Sequence, residues 1–221
     1  MRASGIILAA GRGTRFGGGK AFAQLRGRPL LYWCTEAFLA SGEVEELVVV
    51  ARPGEEPLAT EALREIRLPV RAVPGGKRRQ DSARAGVEAA RGEYVLIHDV
   101  ARPLVTPELI CQVLAAAREH GAAVPAVPVV ETVRYLDGRG FLRAEAVSRT
   151  SLVRIQTPQG FRREVLFAAL KEAEERGLTL TDDAAALLAL GIPVAAVPGD
   201  PANLKITHPE DLELAEALLP P

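Results

Sequence analysis

The residues best suited to chemistry lie close together near the start of the chain. The segment Ala9-Ala10-Gly11-Arg12-Gly13-Thr14-Arg15-Phe16-Gly17-Gly18-Gly19-Lys20 holds five glycines and three cations, and the first acid in the chain is Glu36. Glycine lets the main chain approach a ligand closely and adopt φ > 0 where a loop requires it. A loop that follows a strand points its N–H groups at the open edge of a sheet, where they cradle phosphates. Uncompensated cations in such a loop call for a polyanion, and a triphosphate is the obvious one. A second chemical signal is Asp99, which closes the apolar run Tyr94-Val95-Leu96-Ile97-His98. An acid at a strand end beside phosphates suits Mg²⁺ or a hydrogen bond from a substrate hydroxyl. Its plainer use is to cap the element that follows.

Two familiar phosphate motifs do not fit. G-x-x-x-x-G-K-[ST] requires Gly at Thr14 and Ser or Thr at Ala21, and G-x-G-x-x-G requires Gly at Phe16. No Ser/His/Asp or Cys/His constellation stands out among three histidines, so covalent catalysis is not indicated. Cys34 and Cys111 have no neighbouring ligands at metal spacing and read as two buried free thiols, suited to a reducing cytoplasm.

These residues need a frame. Short apolar runs at 5–10, 47–51, 70–73, 94–98, 122–127, 194–197 and 204–207 read as strands. Between them the pattern predicts helices at 30–40, 58–66, 82–90, 107–120, 163–176, 182–190 and 209–218. Apolar strands alternating with helices imply an α/β, Rossmann-like chain: a mostly parallel twisted sheet covered by helices on both faces. Ligands of such sheets bind outside the carboxyl ends of the strands, where the glycine loop and Asp99 fall. Residues 129–153 break the alternation. They read as a projecting β-arm turning at Asp137-Gly138, an insertion in one domain spanning 1–221, whose apolar positions would pack on a second subunit.

The loop A-A-G-x-G-T-R-F with Lys20 beyond it resembles the signature of the sugar-phosphate nucleotidyltransferases. Further segments resemble one branch, the 2-C-methyl-D-erythritol 4-phosphate cytidylyltransferases: Gly75-Gly76 before Asp81-Ser82, His98-Asp99-Val100-Ala101-Arg102-Pro103, Thr157-Pro158-Gln159, Thr181-Asp182-Asp183, and Asn203-Leu204-Lys205-Ile206-Thr207. They follow the family's order across nearly the whole chain. The resemblance implies cytidylyl transfer from CTP, with Mg²⁺, to methylerythritol phosphate in isoprenoid precursor synthesis. It implies Arg15 and Lys20 as the catalytic cations, and Ala9, Ala10, Gly11, Gly13, Gly76 and Ser82 as the CTP site. Asp99, Arg102, Thr132, Arg149, Thr157 and Lys205 would bind the acceptor, Asp99 would also hold the metal, and Thr132 and Arg149 would be delivered across a homodimer. Arg12 matches no family-defining position and is expected to point to solvent. Lys77-Arg78-Arg79-Gln80 departs from the family, which often has an acid there, and reads as a solvated helix start. Gly18-Gly19 replaces a stiffer Pro-containing loop and is expected to order with CTP and Mg²⁺.

The formal net charge of −1 gives no general attraction to nucleic acid or anionic membranes. No apolar run is long enough to span a bilayer, and the run at 5–10 is too short for a signal segment. A polyol-phosphate cytidylyltransferase acting on ribitol 5-phosphate shares the CTP loop and differs in the acceptor pocket. A non-catalytic nucleotide-binding regulator would tolerate loss of the loop cations or Asp99, and all are present. An NADP-dependent oxidoreductase gains from Arg52 after the second strand, but lacks the glycine at Phe16 and a hydride-transfer pair.

Overall fold

The computed structural model describes residues 3–219. Four apolar segments, β1 (Ala3–Leu8), β2 (Glu46–Ala51), β3 (Val70–Pro74) and β4 (Tyr94–Asp99), form a parallel run in the order β3-β2-β1-β4. Next comes β5 (Ala122–Pro128), then an arm hairpin of β6 (Arg134–Leu136) and β7 (Leu142–Ala146). The chain returns through β8 (Val153–Ile155), β9 (Gln159–Arg162) and finally β10 (Ala195–Pro198). β9 inserts antiparallel between β4 and β5, β8 continues along β5, and β10 lies parallel on the far side of β5. The sheet is therefore mixed but mostly parallel.

Strand alternation divides the core in two. Ile7, Leu47, Val49 and Leu96 face α1 (Leu30–Ser41) and α4 (Pro107–His120). Ile6, Val48, Val50, Val95 and Ile97 face α3 (Arg79–Ala89) and α5 (Arg163–Glu175). The helix α4 has the bounds its sequence signals dictate. Thr106 caps its start by accepting from the Leu109 N–H at 3.2 Å, Pro107 opens it, and Gly121 (φ 84°) closes it in the left-handed conformation.

Several expectations need correction. Residues 204–207 are not a strand: the N–H groups of Leu204 and Ile206 reach the Ala202 and Ala101 carbonyls at 2.7 and 2.8 Å, and side chains of Lys20 and Asp211 take the Ile206 carbonyl and the Thr207 N–H. The strand β9 was not foreseen, because its four residues run straight into α5 and carry no pattern of their own. The helix expected at 58–66 is α2 (Glu56–Ala62), its last turns relaxing into isolated i→i−3 bonds. The remaining helices, α6 (Ala184–Leu188) and α7 (Asp211–Leu218), are shorter than expected. In the arm, Asp137 accepts from the N–H groups of Arg139 and Phe141, both at 2.9 Å, and so shapes the five-residue turn. Both cysteines are free; Cys34 is buried, with burial pushing its thiol up, whereas Cys111 is only half-buried. No helix among the described residues is long and apolar enough to cross a membrane.

Candidate active site

The carboxyl ends of β1, β2, β3 and β4 open onto a cavity of about 660 Å³. The loop 8–13 forms one wall, Gly75 to Arg79 and Ser82 another, and Asp99 to Ala101 with Lys205 a third. Seven cationic side chains border it (Arg12, Lys20, Arg52, Lys77, Arg78, Arg79 and Lys205) against one carboxylate, Asp99. Such a wall favours a polyanion.

Four glycines of the loop, Gly13, Gly17, Gly18 and Gly19, have φ of 59°, 95°, 97° and 59°, conformations that L side chains rarely adopt. The chain can therefore curl through two short helical turns, Thr14–Phe16 and Lys20–Phe22, and return Lys20 to the cavity. The Lys20 ammonium donates to the Ile206 carbonyl at 2.7 Å and lies 5.4 Å from the centre of the Phe16 ring. Burial first, then the charges of Lys205 and Arg15, pull its pKa below the ordinary value. Arg15 itself is exposed and does not border the cavity, but its field reaches Lys20. Arg12 is exposed at the mouth. The Arg52 guanidinium donates to the carbonyls of Gly11 and Arg12 at 3.3 and 3.2 Å, tying the loop to the end of β2.

On the facing wall Gly75 and Gly76 have no room for a side chain. A Cβ at Gly75 would stand 2.4 Å from the Ala10 Cβ, and one at Gly76 2.3 Å from the Asp81 Cβ. The Ser82 hydroxyl accepts from the Gly76 N–H at 3.1 Å, so it holds this turn in place. The expected nucleotide positions Ala9, Ala10, Gly11, Gly13, Gly76 and Ser82 all border the one cavity.

At the third wall Asp99 receives Arg79 on Oδ1 at 3.2 Å and Lys205 on Oδ2 at 2.6 Å. Burial alone would raise this carboxyl, but the two cations outweigh it and hold it well below the usual carboxylate range. Arg79 bridges onward to Asp183 at 2.7 Å. Burial works against the Arg79 charge, and the two acids more than restore it. The stretch expected to be a solvated helix start thus supplies a wall residue. Partners 20 and 104 positions away left no trace in the local pattern.

Thr157 and Arg102 stand behind the cavity lining rather than in it. Thr157 is buried, and its hydroxyl accepts from the Asp99 N–H at 3.1 Å. Arg102 donates to the Asn203 carbonyl at 2.7 Å, and burial lowers its pKa. Thr132 and Arg149 lie exposed on the arm, away from this chain's own cavity, with Arg149 turned onto the Val130 carbonyl. Among the described residues no three His, Cys, Asp or Glu side chains gather to hold a metal ion.

Comparison with known proteins places the chain in a family. A family model described as IspD, 2-C-methyl-D-erythritol 4-phosphate cytidylyltransferase, matches residues 4–220. The enzyme of that name from Thermus thermophilus is 45% identical, over 99% of this chain and 97% of its own. A bifunctional IspD/IspF enzyme from Anaeromyxobacter sp. is 42% identical over 99% of this chain, which spans 57% of that longer protein. The crystal structure of the Thermus thermophilus cytidylyltransferase superimposes with a TM-score of 0.83 at 43% identity, covering 99% of this chain and 98% of the other. A match over nearly every residue, at these identities, establishes that the chain belongs to the IspD family, the 2-C-methyl-D-erythritol 4-phosphate cytidylyltransferases.

Proposed function

We propose that this chain transfers the cytidylyl group of CTP to 2-C-methyl-D-erythritol 4-phosphate, giving 4-diphosphocytidyl-2-C-methyl-D-erythritol and pyrophosphate in isoprenoid precursor synthesis. The observation that carries the reading is the convergence of the glycine loop, Lys20 and Lys205 on one cation-walled cavity. An oxygen of the acceptor phosphate attacks the α-phosphorus, and the bond from that phosphorus to the bridging oxygen of pyrophosphate breaks. The nucleophile is already an anion, so no general base is needed. The task is to bring two anions together and to stabilise charge on the α-phosphate and the departing group, which positioned cations do. Lys20 and Arg15 serve the triphosphate, while Lys205, held at 2.6 Å by Asp99, is set to receive the acceptor phosphate.

Asp99 is the one carboxylate of the cavity wall, and Mg²⁺ is bound in triphosphate sites by one or two carboxylates plus phosphate oxygens. In such an arrangement Asp99, released from one of its two cations, would hold the ion, which would offset phosphate charge.

The arm supports a homodimer. Val130, Leu136, Phe141 and Leu142 are 65–70% exposed on the chain alone, an apolar face that a second copy would cover. In such a pair the partner's arm brings Thr132 and Arg149 to the acceptor. A guanidinium suits this task because its fork grips a phosphate in two bonds. The chain then works as one catalytic unit with an arm for pairing, in the cytoplasm, where both thiols stay reduced.

The test is pyrophosphate release by the purified protein with Mg²⁺, crossing CTP, UTP, ATP and GTP against methylerythritol phosphate and ribitol 5-phosphate. Release with CTP and methylerythritol phosphate alone is expected. Turnover with ribitol phosphate would move the acceptor, and silence with every pair would sink the enzymatic reading.

A further inference from the structure

Behind the acceptor wall runs a closed ring of hydrogen bonds. The Asp99 N–H donates to the Thr157 hydroxyl oxygen at 3.1 Å. That hydroxyl lies 3.0 Å from His98 Nδ1, and His98 Nε2 lies 3.0 Å from the Arg102 carbonyl. Arg102 donates to the Asn203 carbonyl at 2.7 Å, and the Asn203 amide returns to the Thr157 carbonyl at 2.9 Å. His98 and Asn203 are fully buried, and Thr157 is 4% exposed. The ring joins three segments: 98–102, which carries Asp99 and Arg102, the one at Thr157, and the one that carries Asn203 and Lys205.

Elementary bonding rules orient the imidazole's links. A carbonyl only accepts, so His98 Nε2 must carry the hydrogen. Nδ1 is then a lone pair, and the Thr157 hydroxyl donates to it. The Thr157 oxygen is left to accept from Asp99, as found. A hydrogen on Nδ1 would remove the acceptor that the Thr157 hydroxyl uses. The opposite tautomer would leave two acceptors facing each other at Arg102.

We propose that His98 is a positioning residue of the acceptor half of the site: its imidazole, with the hydrogen on Nε2 directed at the Arg102 carbonyl, sets the backbone of Asp99 and the Arg102 loop through Thr157. Its role in turnover rests on the cytidylyltransferase reading; its tautomer does not. It touches no substrate. Its effect reaches the cavity through the orientation of Asp99, and hence of Lys205, while the glycine loop on the opposite wall is outside the ring.

Two measurements test this. In protein labelled with ¹⁵N-histidine at pH 7, the His98 resonances, identified by their loss in His98→Gln, should show a hydrogen-bearing Nε2 and an unprotonated Nδ1. An Nδ1–H tautomer would overturn the proposal, whatever the enzyme's activity. In steady-state kinetics, Thr157→Val and His98→Gln should each lower kcat/KM for the acceptor about tenfold or more, the scale of one misplaced charge-assisted contact. The KM for CTP should stay within about twofold, and Thr157→Ser should recover most of what Thr157→Val loses. Equal losses toward both substrates, or Ser and Val variants that behave alike, would reduce His98 to a packing residue. Should His98→Gln fail to fold, the Thr157 pair and the wild-type resonances decide the matter. Absence of cytidylyl transfer by the wild-type protein would overturn the functional reading and leave the tautomer test standing.

Discussion

At the scale of single residues, the cavity is governed by charges with few partners. Lys20 donates to one carbonyl, at Ile206, and lies against the half-buried Phe16 ring. Lys20→Ala should therefore lower kcat about 100-fold or more, the usual cost of one preorganised transition-state donor or cation. The melting temperature should stay within about 2 °C of wild type. A large drop in melting temperature would make the loop a structural element. His98 provides a second prediction. Burial, opposed by its bond to Arg102, sets its folded pKa at about 4, below the ordinary 6.5. Asp99, Arg102 and Lys205 are the charged groups that act on it. The unfolded chain thus binds the extra proton at a higher pH than the folded one. Stability should be full above about pH 6.5 and fall as pH drops towards 4, by about 3 kcal/mol from this group. Denaturant titrations across that range check it: His98→Gln should flatten that part of the profile.

At the scale of elements, the turn from β3 into α3 is built around two glycines. Gly76 leaves no space for a methyl group, with the Asp81 Cβ only 2.3 Å from where it would sit. Asp81 in turn caps α3 by accepting from the Arg78 N–H at 3.0 Å. Gly76→Ala should push the cap and the Ser82 hydroxyl out of place, costing about 1–3 kcal/mol by denaturant unfolding. It should also raise the KM for CTP, since that wall borders the cavity. Unaltered stability would mean the turn can shift at no cost. The element β9 does comparable work on the other side. Its short antiparallel insertion brings Gln159 beneath the acids, where the side chain donates to Asp182 at 2.9 Å and accepts from the Asp183 N–H at 3.2 Å.

At the scale of the whole molecule, the arm poses the question of how many chains make one site. If Arg149 serves the partner's cavity, Lys20→Ala and Arg149→Ala homodimers should each be nearly inactive. Mixed and allowed to exchange, half of the dimers would be hybrid, each with one intact site, so about a quarter of wild-type activity should return. No recovery after proven exchange would place Arg149 in service of its own chain. Phe141 and Leu142, 66% and 70% exposed, offer the complementary test. The double change Phe141→Glu with Leu142→Glu should give a folded monomer in sedimentation and cut kcat/KM for the acceptor far more than for CTP.

The sequence by itself determined the layers, the loop and the edge of the sheet where chemistry would occur. Alternating apolar runs have no stable arrangement other than a sheet covered on both faces, and a glycine-rich, acid-free segment after a strand has a strong preference for phosphate. Helix α4 was legible to the residue because its cap, opening proline and closing glycine are local signals. What only the tertiary structure decided was partnership across long separations. Arg79 reads as solvated in the sequence, yet the fold sets it between Asp99 and Asp183, and the 204–207 segment reads as a strand, yet loop carbonyls and the side chains of Lys20 and Asp211 take its backbone groups. The role of His98 emerged for the same reason. Its partner Thr157 is 59 residues away, and a buried hydrogen-bond ring leaves no periodicity in the chain that makes it.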